Sequence, residues 1–336
     1  PFSLYWREGD VIRTMRSDAK APELFFDPGM AGMYLPPTEA GFFSWGAVSP
    51  DGQTFAVVLT KETEATWKPG TFLPVDIYLV DRGNREPRLL VKNGAGPVWS
   101  PDGKRLAYSS VETGGLWVAE VATGTAKEVY AADPDISRYP TEYDWAPDNL
   151  RLVVQDEVFF EPPDVVIVNT ETKQVWRVIE GGSKSWPLHP RWSPVDDQIA
   201  VMWSDLGLQL RIVALDGSMV EASNILLGGG IQSWSPDGRW LTFSGSIRYE
   251  SDLFQSDLWL MDAMSLNTSR LTYNVMNSPE DTIANELAPV WSPDGRQLAY
   301  CRGGDEVWAL DLTDGAGRLL FTASHIFGTG GLVVGR

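Results

Sequence analysis

Short apolar runs with β-type alternation recur along the whole chain, separated by turn residues, and helix-period patterning is nearly absent. One cycle shows the plan. The stretch "GPVWS" ends at Ser100, and Pro101, Asp102 and Gly103 follow it. "RLAYSS" then runs from Arg105, "GLWVAEV" alternates from Gly115, a Thr-Gly turn intervenes, and "AKEVYAA" closes the cycle from Ala126. The pattern predicts four short strands joined by tight turns. The first turn has a mechanical cause: Pro presets φ at the first corner, Asp tolerates the next conformation, and Gly accepts the positive φ that leads into the following strand.

The same phrase returns six times. It reads "AVSPDGQTFAVVL" from Ala47, "VWSPDGKRLAYSS" from Val98, "DWAPDNLRLVVQ" from Asp144, "RWSPVDDQIAVMW" from Arg191, "SWSPDGRWLTFSG" from Ser233 and "VWSPDGRQLAYCR" from Val290. Copy three carries Asn149 where Gly is expected, the next best residue for positive φ. Copy four inserts Val195, so its turn must be wider. The residue before the proline falls at Ser49, Ser100, Ala146, Ser193, Ser235 and Ser292, at intervals of 42 to 57 residues. Self-similarity at this period marks a propeller or a solenoid, and four strands per repeat is one propeller blade.

The 336 residues contain close to seven such periods, although six motifs are visible. The ends explain the difference. "FSLYWREGDVIRTMRSDAKAPELFF" reads as the second, third and fourth strands of a blade. "GGLVV" near the C-terminus stands where the next "GPVWS" would fall. The expected fold is therefore an all-β propeller, a single domain over residues 1–336, with seven blades of which one is split between the termini. Six complete blades with the terminal segments packed as extras is the alternative. Trp99, Trp145, Trp192, Trp234 and Trp291 recur in the motif, and Trp117, Trp259 and Trp308 on the third strand. All eight are expected in the core between sheets.

The "WSPDG…LAY…LWV" pattern resembles the TolB-like β-propeller repeat family, one of the WD40-like propeller repeats, over nearly the whole chain. The resemblance implies a bacterial propeller outside the cytoplasm (periplasmic, secreted or surface-anchored), often a protein-binding module. Similar repeats also form the non-catalytic gate of prolyl-oligopeptidase-like and tricorn-like proteases. The motif residues are scaffold, so the resemblance carries over no functional residue.

In a four-stranded blade the 1–2 and 3–4 turns lie on one face, and the 2–3 and 4–1 connections on the other. Here the first set is short and uniform, and the second is long and irregular. Long connections on a rigid scaffold are where recognition is expected. They hold the candidate binding residues Trp67, Tyr139, Tyr143, Trp186, His189 and Tyr249, with Tyr34 and Tyr273 beside them. Asp144 and Arg191 occupy the same place, just before the motif Trp, in successive repeats. A structural ion pair between them is expected, and a ligand contact is the alternative. His189, between Leu188 and Pro190, is expected to be a packed loop residue.

Net charge is −18, from 27 basic and 45 acidic residues. This speaks against nucleic acid, whose binding rests on Lys and Arg meeting phosphates. The acids crowd the long connections, which favours a cationic partner or substrate. No apolar run is long enough to insert in a membrane. With one Cys, at 301, and two His, no thiolate cluster or histidine metal site is expected. Cys301 should be buried and inert. No nucleophile elbow or phosphate loop is present. The reading is a monomeric, non-catalytic module, without cofactor or metal, that binds a protein, peptide or glycan on its long-loop face. A propeller hydrolase or lyase, or the gating propeller of a larger peptidase, is the alternative.

Overall fold

The computed structural model describes residues 2–36, 45–62, 73–159, 161–182, 186–204, 208–221, 226–227, 233–248, 254–273, 286–303, 305–323 and 333–335. Within them the chain forms seven antiparallel sheets, the blades of a propeller, each running from an inner to an outer strand. Blade 1 is Gly46–Val48, Thr54–Leu59, Asp76–Asp81 and Pro87–Val91. Blade 2 is Gly94–Trp99, Arg105–Ser110, Leu116–Glu120 and Ala126–Tyr130. Blade 3 is Arg138–Trp145, Arg151–Val158, Asp164–Asn169 and Val175–Ile179. Blade 4 is Trp186–Trp192, Gln198–Ser204, Leu208–Ala214 and Met219–Glu221. Blade 5 has an inner strand in two pieces, Leu226–Leu227 and Ser233–Trp234, followed by Trp240–Arg248, Phe254–Asp262 and Thr268–Arg270. Blade 6 is Glu286–Trp291, Gln297–Arg302, Glu306–Asp311 and Gly317–Thr322.

Blade 7 joins the two ends of the chain. Val333–Gly335 pairs antiparallel with Ser3–Glu8, with Tyr5 opposite Val333, and Val11–Arg16 and Glu23–Phe26 complete the sheet. The seven-bladed expectation thus holds over the six-bladed one. Closure pairs the sheet edges that an open array would expose. Aromatic packing seals the split blade on both flanks. Trp6 stacks on Phe321 of blade 6 at 4.0 Å, and Tyr5, Phe25 and Phe55 of blade 1 cluster with ring centroids 5.0–5.8 Å apart.

The repeated turn is a clip made by its own side chains. In four copies the buried Ser hydroxyl donates to the Asp carboxylate, at 2.6 Å for Ser49–Asp51 and 2.7 Å for Ser100–Asp102. The same oxygen accepts the amide that opens the next strand, as in Thr54 to Ser49 at 2.9 Å. Gly52, Gly103, Gly238 and Gly295 sit at φ of 69–70°, and Asn149 takes their place at 61°, as its position in the repeat requires. The motif tryptophans are buried. Trp117, Trp259 and Trp308 are only half-buried, against expectation. They lie on third strands, toward the rim, where twisted blades splay and leave ring edges to solvent. Cys301 is fully buried, and burial pushes its thiol up to about 12, so it is inert at neutral pH as expected.

Candidate functional site

Four motif tryptophans stitch their blade to the preceding one. The indole of Trp99 donates to the Ala47 carbonyl, Trp145 to Val98, Trp234 to Arg191 and Trp291 to Ser233, each at 3.1 Å. Trp192 does not. Its indole donates to the Asp196 carbonyl of its own turn at 3.0 Å, within the turn widened by Val195. The seam between blades 3 and 4 is therefore held differently.

What holds it is charge. Glu142 stands three residues before Trp145, and His189 three before Trp192, so the two occupy one repeat position in adjacent blades. His189 Nδ1 lies 2.5 Å from Glu142 Oε1, and Arg191 Nη2 donates to Glu142 Oε2 at 3.2 Å. Burial would push the Glu142 carboxyl up, but the His189 hydrogen bond and the Arg191 charge outweigh it and hold it below the usual carboxylate range. The His189 amide donates to the buried Gln155 side chain at 2.9 Å, and Gln155 donates on to Thr141 at 3.2 Å. Both inner strands carry a β-bulge here, and His189 adopts φ of 51° within its own. A left-handed conformation at a non-glycine residue costs about 1–2 kcal/mol. It re-aims the imidazole toward Glu142. His189 is thus a strand residue and not the packed loop residue the sequence suggests.

Asp144 and Arg191 do not form the expected ion pair. Asp144 accepts the Trp145 amide and, across the seam, the Trp192 amide, both at 2.9 Å. Arg191 bonds Glu142 and the Pro190 carbonyl. Removal from water between the blades pushes the Asp144 carboxyl up, against the pull of the Arg191 charge and the two amides.

Tyr143 points the other way. It is buried, and its hydroxyl donates to the Gly96 carbonyl of blade 2 at 2.5 Å, so it braces the two blades. Strand alternation separates it from Glu142 and Asp144. Tyr139 is exposed and lies near Gly114 of blade 2, and Trp186 is exposed where the inner strand of blade 4 begins. Trp67 and Tyr249 lie outside the described residues. Sequence reasoning missed Glu142, whose shared repeat position with His189 was available as a signal. It also missed Phe159, which opens the 2–3 connection of blade 3.

The exposed aromatic rings keep to one face. Among the described residues the exposed aromatics are Tyr34, Tyr139, Phe159, Trp186 and Tyr273, and every one lies on or beside a 2–3 or 4–1 connection. Tyr273 is 69% and Phe159 64% exposed. The short-turn face shows aliphatics such as Leu150, Val195 and Met264. Among the described residues no group of three or more His, Cys, Asp or Glu side chains could hold a metal. No helix there is long and apolar enough to cross a membrane.

The fold is a seven-bladed β-propeller. No family model matches the chain. An uncharacterized protein of Agrobacterium fabrum is 24% identical over 210 residues, covering 57% of this chain, and the chain spans 66% of that relative's length. Solved propellers share the fold. A prolyl endopeptidase (13% identity, TM-score 0.68) covers 96% of this chain and 50% of its own. An oligogalacturonate lyase from Vibrio parahaemolyticus (15%, 0.64) covers 94% and 87%. TolB from Acinetobacter baumannii (15%, 0.54) covers 100% and 83%.

Proposed function

We propose that the chain is a non-catalytic binding module that recognises a protein or peptide on its long-connection face. The observation that carries this is the confinement of the exposed aromatics to that face. Large rigid rings at a surface supply contact area at low entropic cost and dominate recognition energies. The polar seam serves as a rigid mount: it fixes the inner strand of blade 4, from whose start Trp186 projects. We further place the chain among TolB-like repeat proteins and outside the bacterial cytoplasm, as a monomer. The six-fold motif and the TolB likeness support this, and cell fractionation of the native protein tests the location.

Arrays of peptides and oligosaccharides probed with the labelled chain test the function. Peptide ligands found this way should lose at least about tenfold in affinity with Trp186→Ala or Tyr273→Ala, and little with Leu150→Ala or Met264→Ala on the opposite face. The reverse pattern, or hits confined to oligosaccharides, refutes the reading. A second reading has one specific support: the chain matches half of a prolyl endopeptidase. If it is a gating propeller, the full reading frame encodes a hydrolase domain beside it.

A further inference from the structure

Between blades 2 and 3, on the aromatic face, a buried carboxylate is only partly used. Asp156 is 3% exposed. Its Oδ2 accepts the Tyr130 hydroxyl at 2.8 Å, and Arg138 Nε lies 3.4 Å from the same oxygen. Its Oδ1 is buried with no hydrogen-bond partner, and Arg138 Nε is likewise buried without one. A buried carboxylate oxygen and a buried guanidinium Nε that both lack a partner are poorly compensated. Arg138 sits at the carboxylate without hydrogen-bonding it, and its side chain is 38% exposed.

The surroundings favour a cation. Ser137–Tyr139 runs beside Glu157–Phe159: Tyr139 pairs with Glu157, and the Phe159 amide donates to the Ser137 carbonyl at 3.1 Å. The two exposed rings, Tyr139 and Phe159, thus flank the Arg138 segment. The two connections (131–138 and 157–163) contain the acids Asp133, Asp135, Glu157 and Glu161 and the single base Arg138. Aromatic rings and acids together suit a guanidinium, which stacks on ring faces and bonds carboxylates through two N–H groups at once.

We propose that Asp156 is the acceptor for an arginine side chain of a basic peptide, and that Arg138 occupies this acceptor until the peptide displaces it. The group already resting there is itself a guanidinium, which is why arginine and not lysine is the expected ligand. Burial, more than any neighbour, pushes the Asp156 carboxyl up; Tyr130 and Arg138 pull it down, and Asp164 on the adjacent strand adds to the rise. A bound cation would draw it back toward the ionised form. The inference rests on the aromatic face being the recognition face.

Two substitutions with opposite outcomes test it. The probe is an acetylated, fluorescein-labelled Gly-Arg-Gly-Arg-Gly peptide with its glutamine counterpart, read by anisotropy at neutral pH. The arginine peptide should bind the native chain at least about tenfold more tightly than the glutamine one. Asp156→Asn should abolish that preference. Arg138→Gln, which removes the resident competitor, should strengthen binding about threefold or more. A merely structural Arg138–Asp156 pair would weaken binding in both variants, and that result overturns the proposal. So does equal binding of the two peptides, or an unchanged preference in Asp156→Asn. If Trp186→Ala and Tyr273→Ala abolish array ligands while the Asp156 and Arg138 variants change nothing, this inference fails and the recognition face stands.

Discussion

Two seams of the ring can be set side by side. Between blades 2 and 3 the motif works as written: Trp145 is buried, and its indole reaches back to the Val98 carbonyl. Between blades 3 and 4 the inserted Val195 accompanies an indole turned onto its own turn, and Glu142, His189, Asp144 and Arg191 fill the joint instead. The indole bond of the first joint repeats at three other seams. The second sets a charged carboxylate in a largely buried place, which costs free energy unless fully compensated. A repeat departs from its own rule where a site needs residues that the rule does not supply. The consensus seams keep the ring closed, and the exceptional seam fixes one inner strand under the aromatic face.

The largest expected effect comes from breaking the exceptional seam at its centre. Glu142→Leu removes the shared partner of His189 and Arg191 and leaves a guanidinium in a mostly buried joint. Losing one member of such a cluster costs about 3–5 kcal/mol. Urea unfolding should show a lower midpoint by that amount with an unchanged slope. A cost under about 1 kcal/mol would mean the cluster is solvated and the two seams are equivalent.

A smaller effect separates the seams by hydrogen bonding alone. Trp145→Phe keeps most of the packing but strands the Val98 carbonyl on the neighbouring blade, at about 1 kcal/mol. Trp192→Phe loses a bond within its own turn. Hydrogen exchange should rise on the inner strand of blade 2 in the first variant. In the second it should rise only in the Ser193–Asp197 turn. Increased exchange on blade 3 in Trp192→Phe would show that the fourth-blade indole does stitch after all.

The scaffold was open to a reader of the chain because it obeys two periodicities at once. Strand alternation and turn chemistry define a blade, and six registered copies define the ring. Even the positive φ at Asn149 and the strand supplied by "GGLVV" follow from position in the repeat. The site was only half legible. Asp144 and Arg191 stand out because they break the pattern at one position, but their partners depend on which way each side chain leaves a bulged strand. The bulges at Glu142 and His189 decide that; they recur at the same place before Trp99 and Trp291, so they belong to the repeat, but the side chains they aim differ from blade to blade. Bulges also extend the inner strands, so Tyr139, Tyr143, Trp186 and His189, assigned to loops, are strand residues. Asp156 was invisible for another reason: its importance lies in Tyr130 and Arg138, which come from two other strands.

The smallest effect is a difference in sign with pH. At consensus turns the Ser hydroxyl holds Asp51, Asp237 and Asp294 below their usual range. A depressed carboxylate contributes stability that is complete above its unfolded value, about 3.9 for Asp, and is lost as pH falls through the folded one. Glu142 follows the same rule. Asp144 does the opposite. Its folded value is raised, so the ionised group costs stability at neutral pH, and the folded chain gains as pH falls through that value toward about 3.9. Asn cannot take up that proton. The stability deficit of Asp144→Asn relative to the native chain should therefore widen as pH falls from neutral toward 4.5. The deficit of Glu142→Gln should stay level over that range and shrink only in stronger acid. Paired urea titrations at pH 7, 5.5 and 4.5 measure both. A deficit for Asp144→Asn that narrows with acid would make Asp144 an ordinary paired carboxylate, and the seam between blades 3 and 4 would lose one of its two distinctions.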